Sequence, residues 1–414
     1  MKKPELLLPA GSLEVLKEAV FYGADAVYIG GGVMGLRAKA KNASIEELAE
    51  GVAFAHRSGV RVYVTANILA HIADLPDARA FFRELKDVRP DALIISDPGV
   101  FTIAKEILPE TEIHISTQAN NVNAETFRFW HALGAKRVVA GRELSLREIK
   151  EIRAEVPPEL EIEAFVHGAM CISYSGRCLL SNFLTGRDAN RGECTHPCRW
   201  SYALVEETRP GEYFPVTENE RGTYIMNSKD LCMIGHIPEL LDAGIDSFKV
   251  EGRMKTALYV ATAARAYRKA IDDYCKDPAL YKANREWYLE EITKGTNREF
   301  TTGFFFGKPG PDALIYDRQT YVTNYVYLGT AGETDADGFT RLIQKNKFCT
   351  GDEMEILKAD GENRKTRVLE IRNASGKTVE DAPHAAEELR VRFSEPPAQY
   401  EILRVKETES RKRG

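Results

Sequence analysis

Over the first 275 residues, short apolar runs rich in β-branched side chains alternate with stretches whose apolar positions recur at helical spacing. ELLLPA (5–10) precedes SLEVLKEAVFYG, ADAVYIGGG (24–32) precedes SIEELAEGVAFAHRSG, and RVYVTAN (61–67) precedes a further helical stretch. The alternation continues through DALIISD (91–97), EIHISTQAN (112–120), RVVAG (137–141) and LEIEAFVHG (160–168). It ends with SFKVEGR (247–253), followed by the amphipathic ALYVATAARAYRKAIDDY. Strands separated by helices run parallel, because each helix returns the chain to the starting edge. Eight such units predict an α/β fold closed as a (β/α)8 TIM-like barrel over residues 1–275, with an open doubly wound sheet as the alternative.

One connection breaks the rhythm. Almost 80 residues separate the seventh strand, ending near His167, from the eighth, starting near Ser247. This Cys-rich insertion (169–246) follows a barrel strand, so it is expected at the C-terminal face, where barrels of this kind carry their sites. Residues 276–318 read as helical and then as a Gly- and Pro-rich linker. From 319 to 406 the texture is all-β. TYVTNYVYLGT, FTRLIQ, DEMEILK, TRVLEIR, ELRVRF and YEILRV are separated by turn signals, which predicts a small antiparallel β-barrel. Residues 407–414 form a polar tail.

Composition adds bounds. A net charge of −6 with 29% charged and 43% hydrophobic residues is ordinary for a globular chain. It argues against a wholesale nucleic-acid coat but permits a local basic path. MKKPELLLPAGS lacks a secretory apolar core, and no stretch reaches the roughly 18 apolar residues of a membrane span. The expected location is cytoplasmic, with no membrane partner. Thiols stay reduced there, which counts against a disulfide knot.

The cysteines then matter. Four of seven, Cys171, Cys178, Cys194 and Cys198, lie within 28 residues of the insertion, spaced Cys-x6-Cys-x15-Cys-x3-Cys. Structural zinc prefers two close pairs with roughly two to four intervening residues, and only Cys194 and Cys198 fit that. An iron–sulfur cluster accepts looser spacing, and Arg177, Arg191 and Arg199 would offset its charge. Spacing alone leaves cluster, zinc and unligated thiols open. Cys232, in NSKDLCMI, opens an apolar stretch that reads as helix; it is a buried small residue or a substitute ligand. Cys275 and Cys349 read as ordinary thiols.

EAFVHGAMCISYSGRCLLS closely resembles the signature of the collagenase-like peptidase family U32, a family associated with RNA hydroxylation. RDANRGECTHPCRW, GTYIMNSKDL, FKVEGRMK and the opening ELLLPAGSLEVLKEAVFYGADAVYIGG resemble it too, so the likeness spans essentially the whole chain. The subgroup it looks most like is the tRNA hydroxylation protein P type, which makes 5-hydroxyuridine at the tRNA wobble position in a prephenate-dependent, oxygen-independent manner. Other members hydroxylate ribosomal RNA or act on a quinone precursor. The resemblance implies a [4Fe-4S] cluster on Cys171, Cys178, Cys194 and Cys198, with Cys232 as a possible substitute for Cys198. It also implies prephenate as co-substrate, the tRNA anticodon loop as macromolecular partner, and a C-terminal barrel like the second domain of translation factors. A partner protein or a second copy stays open.

The peptidase label meets a chemical difficulty. The chain has neither HExxH nor GxSxG, and a cysteine committed to a cluster is not a free nucleophile. A dicarboxylate co-substrate calls instead for arginine forks. Arg142 follows strand six, Arg253 follows strand eight, and Arg37 follows strand two; each could equally close a structural ion pair. Asn67, Asp97, Gln118, His167 and Glu251 stand at strand ends and are expected at the mouth, with His167 or Glu251 moving a proton on a uracil ring. Their alternative is capping or orienting loops. Gly30–Gly32 reads as a tight turn or as a close approach to a phosphate. For RNA, Arg177, Arg187, Arg191, Arg199 and Lys229 interleave with Tyr174, Trp200 and Tyr202, and Arg341, Lys345 and Lys347 offer a second contact on the C-terminal barrel. A tRNA wobble-uridine hydroxylase is therefore the expected function. The alternatives are hydroxylation of another RNA or a quinone precursor, a cluster-bearing scaffold subunit, and a peptidase.

Overall fold

The computed structural model describes residues 2–32, 34–35, 43–171, 173–174, 176–200, 203–204, 214–215, 227–309, 313–315, 321–382 and 384–407. Arg37 and Tyr202 lie outside the described residues, as does the side chain of Arg199.

Every strand expected from the sequence is present. β1 (Glu5–Ala10), β2 (Ala26–Gly30), β3 (Arg61–Ala66), β4 (Ala92–Ile95), β5 (Glu112–Ile115), β6 (Arg137–Val139) and β7 (Glu161–Ala169) pair in parallel, each with the next. The closing strand, β9 (Ser247–Val250), pairs in parallel with both β7 and β1, so the sheet is a closed eight-stranded barrel. Both faces of each strand are covered, so the strands carry near-continuous buried runs, as in β2 and β4. Helices α1 (Leu13–Phe21), α2 (Ile45–Arg57), α3 (Leu75–Val88), α4 (Pro98–Ile107), α5 (Ala124–Ala132) and α6 (Leu146–Glu155) fill the crossovers. Their starts are written locally: Ser44 with Glu47, and Ser145 with Glu148, form reciprocal capping boxes.

The long connection after β7 contains α7 (Leu180–Thr185), β8 (Asp230–Cys232) and α8 (Ile237–Asp242), and α9 (Ala257–Lys276) follows β9. β8 runs antiparallel to the upper end of β7, placing Cys232 opposite His167. NSKDLCMI is therefore strand where its apolar run suggested helix, because the free edge of the overlong β7 offers backbone partners. After α9 the chain stays helical as expected, with Tyr281, Tyr288 and Ile292 joining the main core, and at the start of the Gly- and Pro-rich stretch Phe300–Thr301 pairs with β8.

The barrel interior is charged at its floor. Period-two alternation points Glu5, Arg61, Glu112, Arg137, Glu161, Glu163 and Lys249 inward. Arg137, 2% exposed, donates to Glu5, Glu161 and Glu163, and Lys249 donates to Glu163 at 2.7 Å. Burial opposes ionisation of Glu5, yet the Arg137 charge and its hydrogen bonds hold that carboxyl down at about 2. A buried arginine with its carboxylates in place is stable only as a complete set, which makes this end a fixed plug.

The C-terminal domain is a closed antiparallel barrel of six strands: β10 (Tyr325–Thr334), β11 (Phe339–Gln344), β12 (Glu353–Leu357), β13 (Arg364–Arg372), β14 (Glu388–Phe393) and β15 (Ile402–Lys406). It is docked on α1 and α9. The Tyr22 hydroxyl donates to Leu357 O and accepts from Ile402 N, and Glu291 receives both Arg265 and Arg404.

Candidate active site at the barrel mouth

The C-terminal strand ends carry a polar ring. K-x-E-x-R (249–253) alternates along the closing strand and its extension, so Lys249 lies in the interior while Glu251 and Arg253 follow toward the mouth. Arg142 donates to Glu251 Oε2 at 3.2 Å and to Ala169 O at 2.7 Å, and its guanidinium lies 4.0 Å from the Phe165 ring centre. Arg253, 6% exposed, donates to Thr65 Oγ1 at 2.9 Å. It lies so close over the end of β2 that a Cβ at Gly30 would overlap its guanidinium. On the opposite side, Asn67 donates to Ser116 Oγ at 3.3 Å, and that hydroxyl also accepts from Gln118 N. Gln118 Oε1 is buried without a hydrogen-bond partner among the described residues. Two clusters thus face the mouth, Arg142–Glu251 and Asn67–Ser116–Gln118, with Arg253–Thr65 set between β9 and β3.

Not every strand-end residue joins them. Asp97 caps α4, accepting from Val100 N at 3.0 Å. His167 is turned away. Simple alternation would put it inward with Glu163 and Phe165, but β7 carries an extra residue, Val166, opposite the Lys249–Val250 step of β9. A bulge of this kind reverses the side chains beyond it. The His167 ring packs against Tyr259 and Tyr267 of α9 and against Phe300. Burial, with the Lys255 charge adding to it, pushes its imidazole down to about 3. It is a neutral wall residue.

The cysteine-bearing connection is fastened over this mouth. Asn190 O accepts from Leu69 N just beyond β3, and Arg191 makes two bonds to Asp74, at 2.7 and 2.8 Å. Gly176, at φ 73°, lies against the Gln118 backbone so tightly that a Cβ would overlap its carbonyl. The two halves of the segment are also stitched to each other. Asn190 Nδ2 donates to Cys178 O at 3.0 Å, and Thr195 N donates to Ser181 Oγ at 3.1 Å. Cys171 is exposed and Cys178, Cys194 and Cys198 are half-buried, all on this segment. Among the described residues, no three His, Cys, Asp or Glu side chains stand in a metal-holding arrangement. The donor set itself, four thiols from one stitched excursion, has the chemistry an iron–sulfur centre takes. Cys232 is buried in the wall beside Tyr267, its thiol pushed up to about 11 by burial.

Sequence reading missed Thr65 and Ser116, whose hydroxyls hold the arginine and the two amides. Their inward alternation with Tyr63 and His114 was the available signal.

Residues 11–314 match the model for peptidase family U32, and residues 323–404 match that family's C-terminal domain. The chain belongs to peptidase family U32. This U32 chain is 43% identical over 384 residues to the Bacillus subtilis protein named tRNA hydroxylation protein P1, covering 92% of this chain and 90% of that protein. It is 40% identical to tRNA hydroxylation protein P of Escherichia coli, covering 92% of each. The Escherichia coli 23S rRNA 5-hydroxycytidine C2501 synthase is 35% identical over 77% of this U32 chain and 47% of that protein. No helix among the described residues of the U32 chain is long and apolar enough to cross a membrane.

Proposed function

We propose that this protein hydroxylates RNA, and specifically C5 of the wobble uridine of tRNA, with prephenate as co-substrate and a [4Fe-4S] cluster on Cys171, Cys178, Cys194 and Cys198. The observation that carries the reading is the fastening of the four-thiol segment over a mouth that holds Arg142, Glu251 and Arg253. The names of the Bacillus subtilis and Escherichia coli tRNA hydroxylation relatives, each matching 92% of the chain, support an RNA-hydroxylating role. The rRNA synthase favours a second reading, hydroxylation of a ribosomal pyrimidine, on a shorter match.

The cluster would supply one-electron or Lewis-acid chemistry beside the ring. The remaining work falls to the chain. Arg253, oriented by Thr65, offers a planar fork to one carboxylate of the co-substrate, and Arg142 offers the other. Glu251, charge-paired with Arg142, takes or returns the proton at C5. Gln118 and Asn67 hydrogen-bond the uracil edge, since the unsatisfied Gln118 carbonyl can accept the ring N3–H. A base inside an anticodon loop must leave its stack to reach this depth.

The test is mass spectrometry of nucleosides from unmodified tRNA incubated with the anaerobically reconstituted protein, with and without prephenate. Prephenate-dependent 5-hydroxyuridine at the wobble position is expected. A modified ribosomal pyrimidine with untouched tRNA would overturn the tRNA assignment. No hydroxylated nucleoside in either RNA would overturn the enzyme reading.

A further inference from the structure

Helix α7 is amphipathic in the wrong sense. It buries Ser181, whose hydroxyl meets Thr195 Oγ1 at 3.1 Å, and sets the Thr185 hydroxyl 3.5 Å from the same Thr195 Oγ1, while Phe183 stands 85% exposed. Leu179 and Leu184 are exposed beside it, and Tyr174 and Trp200 are exposed on the same stitched segment. A surface helix ordinarily hides its apolar side, so an outward apolar face marks a docking surface.

Its charges identify the occupant. Arg191 is satisfied by two bonds that it donates to Asp74. Arg177 and Arg187, on the same segment, make no ion pair among the described residues. Asp188 caps the turn at Asn190, and Glu193, two residues beyond Arg191, is exposed. Aromatic faces flanked by unpaired guanidinium groups suit unstacked bases and their phosphates, whereas a purely apolar partner would leave those cations unmatched.

We infer that the outer edge of α7 is a stacking platform for unpaired bases of an RNA loop, with Phe183 as its principal ring and Arg177 and Arg187 holding the flanking phosphates. The inference rests on the RNA reading of the mouth and extends it: Phe183 holds the neighbours of the base that enters.

The experiment measures binding to the full-length protein, apart from turnover, using a labelled RNA stem-loop and a fully paired duplex of equal length. Phe183→Ser is expected to weaken stem-loop binding by roughly ten-fold and leave duplex binding unchanged. Phe183→Trp restores stem-loop binding. Arg177→Glu with Arg187→Glu weakens both RNAs and flattens the salt dependence. Leu369→Ser, which removes an exposed apolar side chain from β13 of the C-terminal barrel, is expected to bind as the parent does. Unchanged stem-loop affinity in Phe183→Ser overturns the inference. So does a Phe183→Ser protein that loses self-association in sedimentation while binding RNA normally, which would make the face a contact between copies. Phe183-dependent binding without any hydroxylated nucleoside would sink the enzymatic reading and leave this one standing.

Discussion

Arg253 and Thr65 meet across the barrel mouth, guanidinium to hydroxyl at 2.9 Å, joining the closing strand to the third. The bond fixes the plane of the fork, and Gly30 leaves the space in which it lies. Arg253→Lys keeps the charge and loses the fork, so co-substrate-dependent turnover should fall while iron content stays the same. Gly30→Ala pushes the guanidinium aside and should give the same kinetic phenotype. Steady-state rates against prephenate concentration check both. Normal kinetics in either variant would remove Arg253 from the carboxylate site.

The cysteines should divide sharply. Alanine at Cys171, Cys178, Cys194 or Cys198 is expected to abolish the brown chromophore and the iron content measured after anaerobic reconstitution. Cys232→Ala should keep the iron and cost about 1 kcal/mol of stability, as a truncated wall residue does. Exposed Cys275→Ala should change neither. Loss of iron in Cys232→Ala would reinstate that residue as a ligand.

His167 should leave its mark on stability in acid. Its imidazole is held at about 3 in the folded chain against an ordinary 6.5. Between those values the unfolded chain binds a proton that the folded chain refuses, so the residue subtracts stability as pH falls from 6.5 toward 3. His167→Phe should flatten the fall in thermal midpoint over that window and keep wobble hydroxylation. Abolished hydroxylation in a well-folded His167→Phe protein would return the imidazole to the chemistry.

Glu18 should act at the other end of the scale. It lies buried between α1 and the C-terminal barrel, accepting from the Thr330 hydroxyl, with Oε2 unpartnered among the described residues. Burial pushes its carboxyl up to about 8 from 4.5. The proton is kept in the folded chain and lost by the unfolded chain above pH 4.5, so this contribution is full below 4.5 and gone above about 8. Glu18→Gln should unfold at a higher temperature than the parent at pH 8 and lose that advantage near pH 4.5. An equal difference at both values would show that Glu18 does not titrate at this interface.

Much of the barrel was legible because its signals are local. Runs such as AVYIG and ALII report burial on both faces, and Ser44–Glu47 and Ser145–Glu148 start helices within four residues of chain. Glu251 and Arg253, closing the last strand candidate, were likewise placed at a strand end by sequence order alone. The signal for Asp97 was present too: an acid before Pro98 at a helix start reads as a cap. What the chain alone could not fix is pairing between distant segments. One extra residue in β7 against β9 turned His167 from the mouth to the wall. The open edge of β7 drew Cys232 into a strand opposite His167. Which inward charges find partners, and which side of α7 meets solvent, depend on what lies opposite. Local patterning therefore determined the elements and their order. Tertiary packing decided the facing of individual side chains, because a strand's period of two makes any one-residue change in register an inversion of everything beyond it.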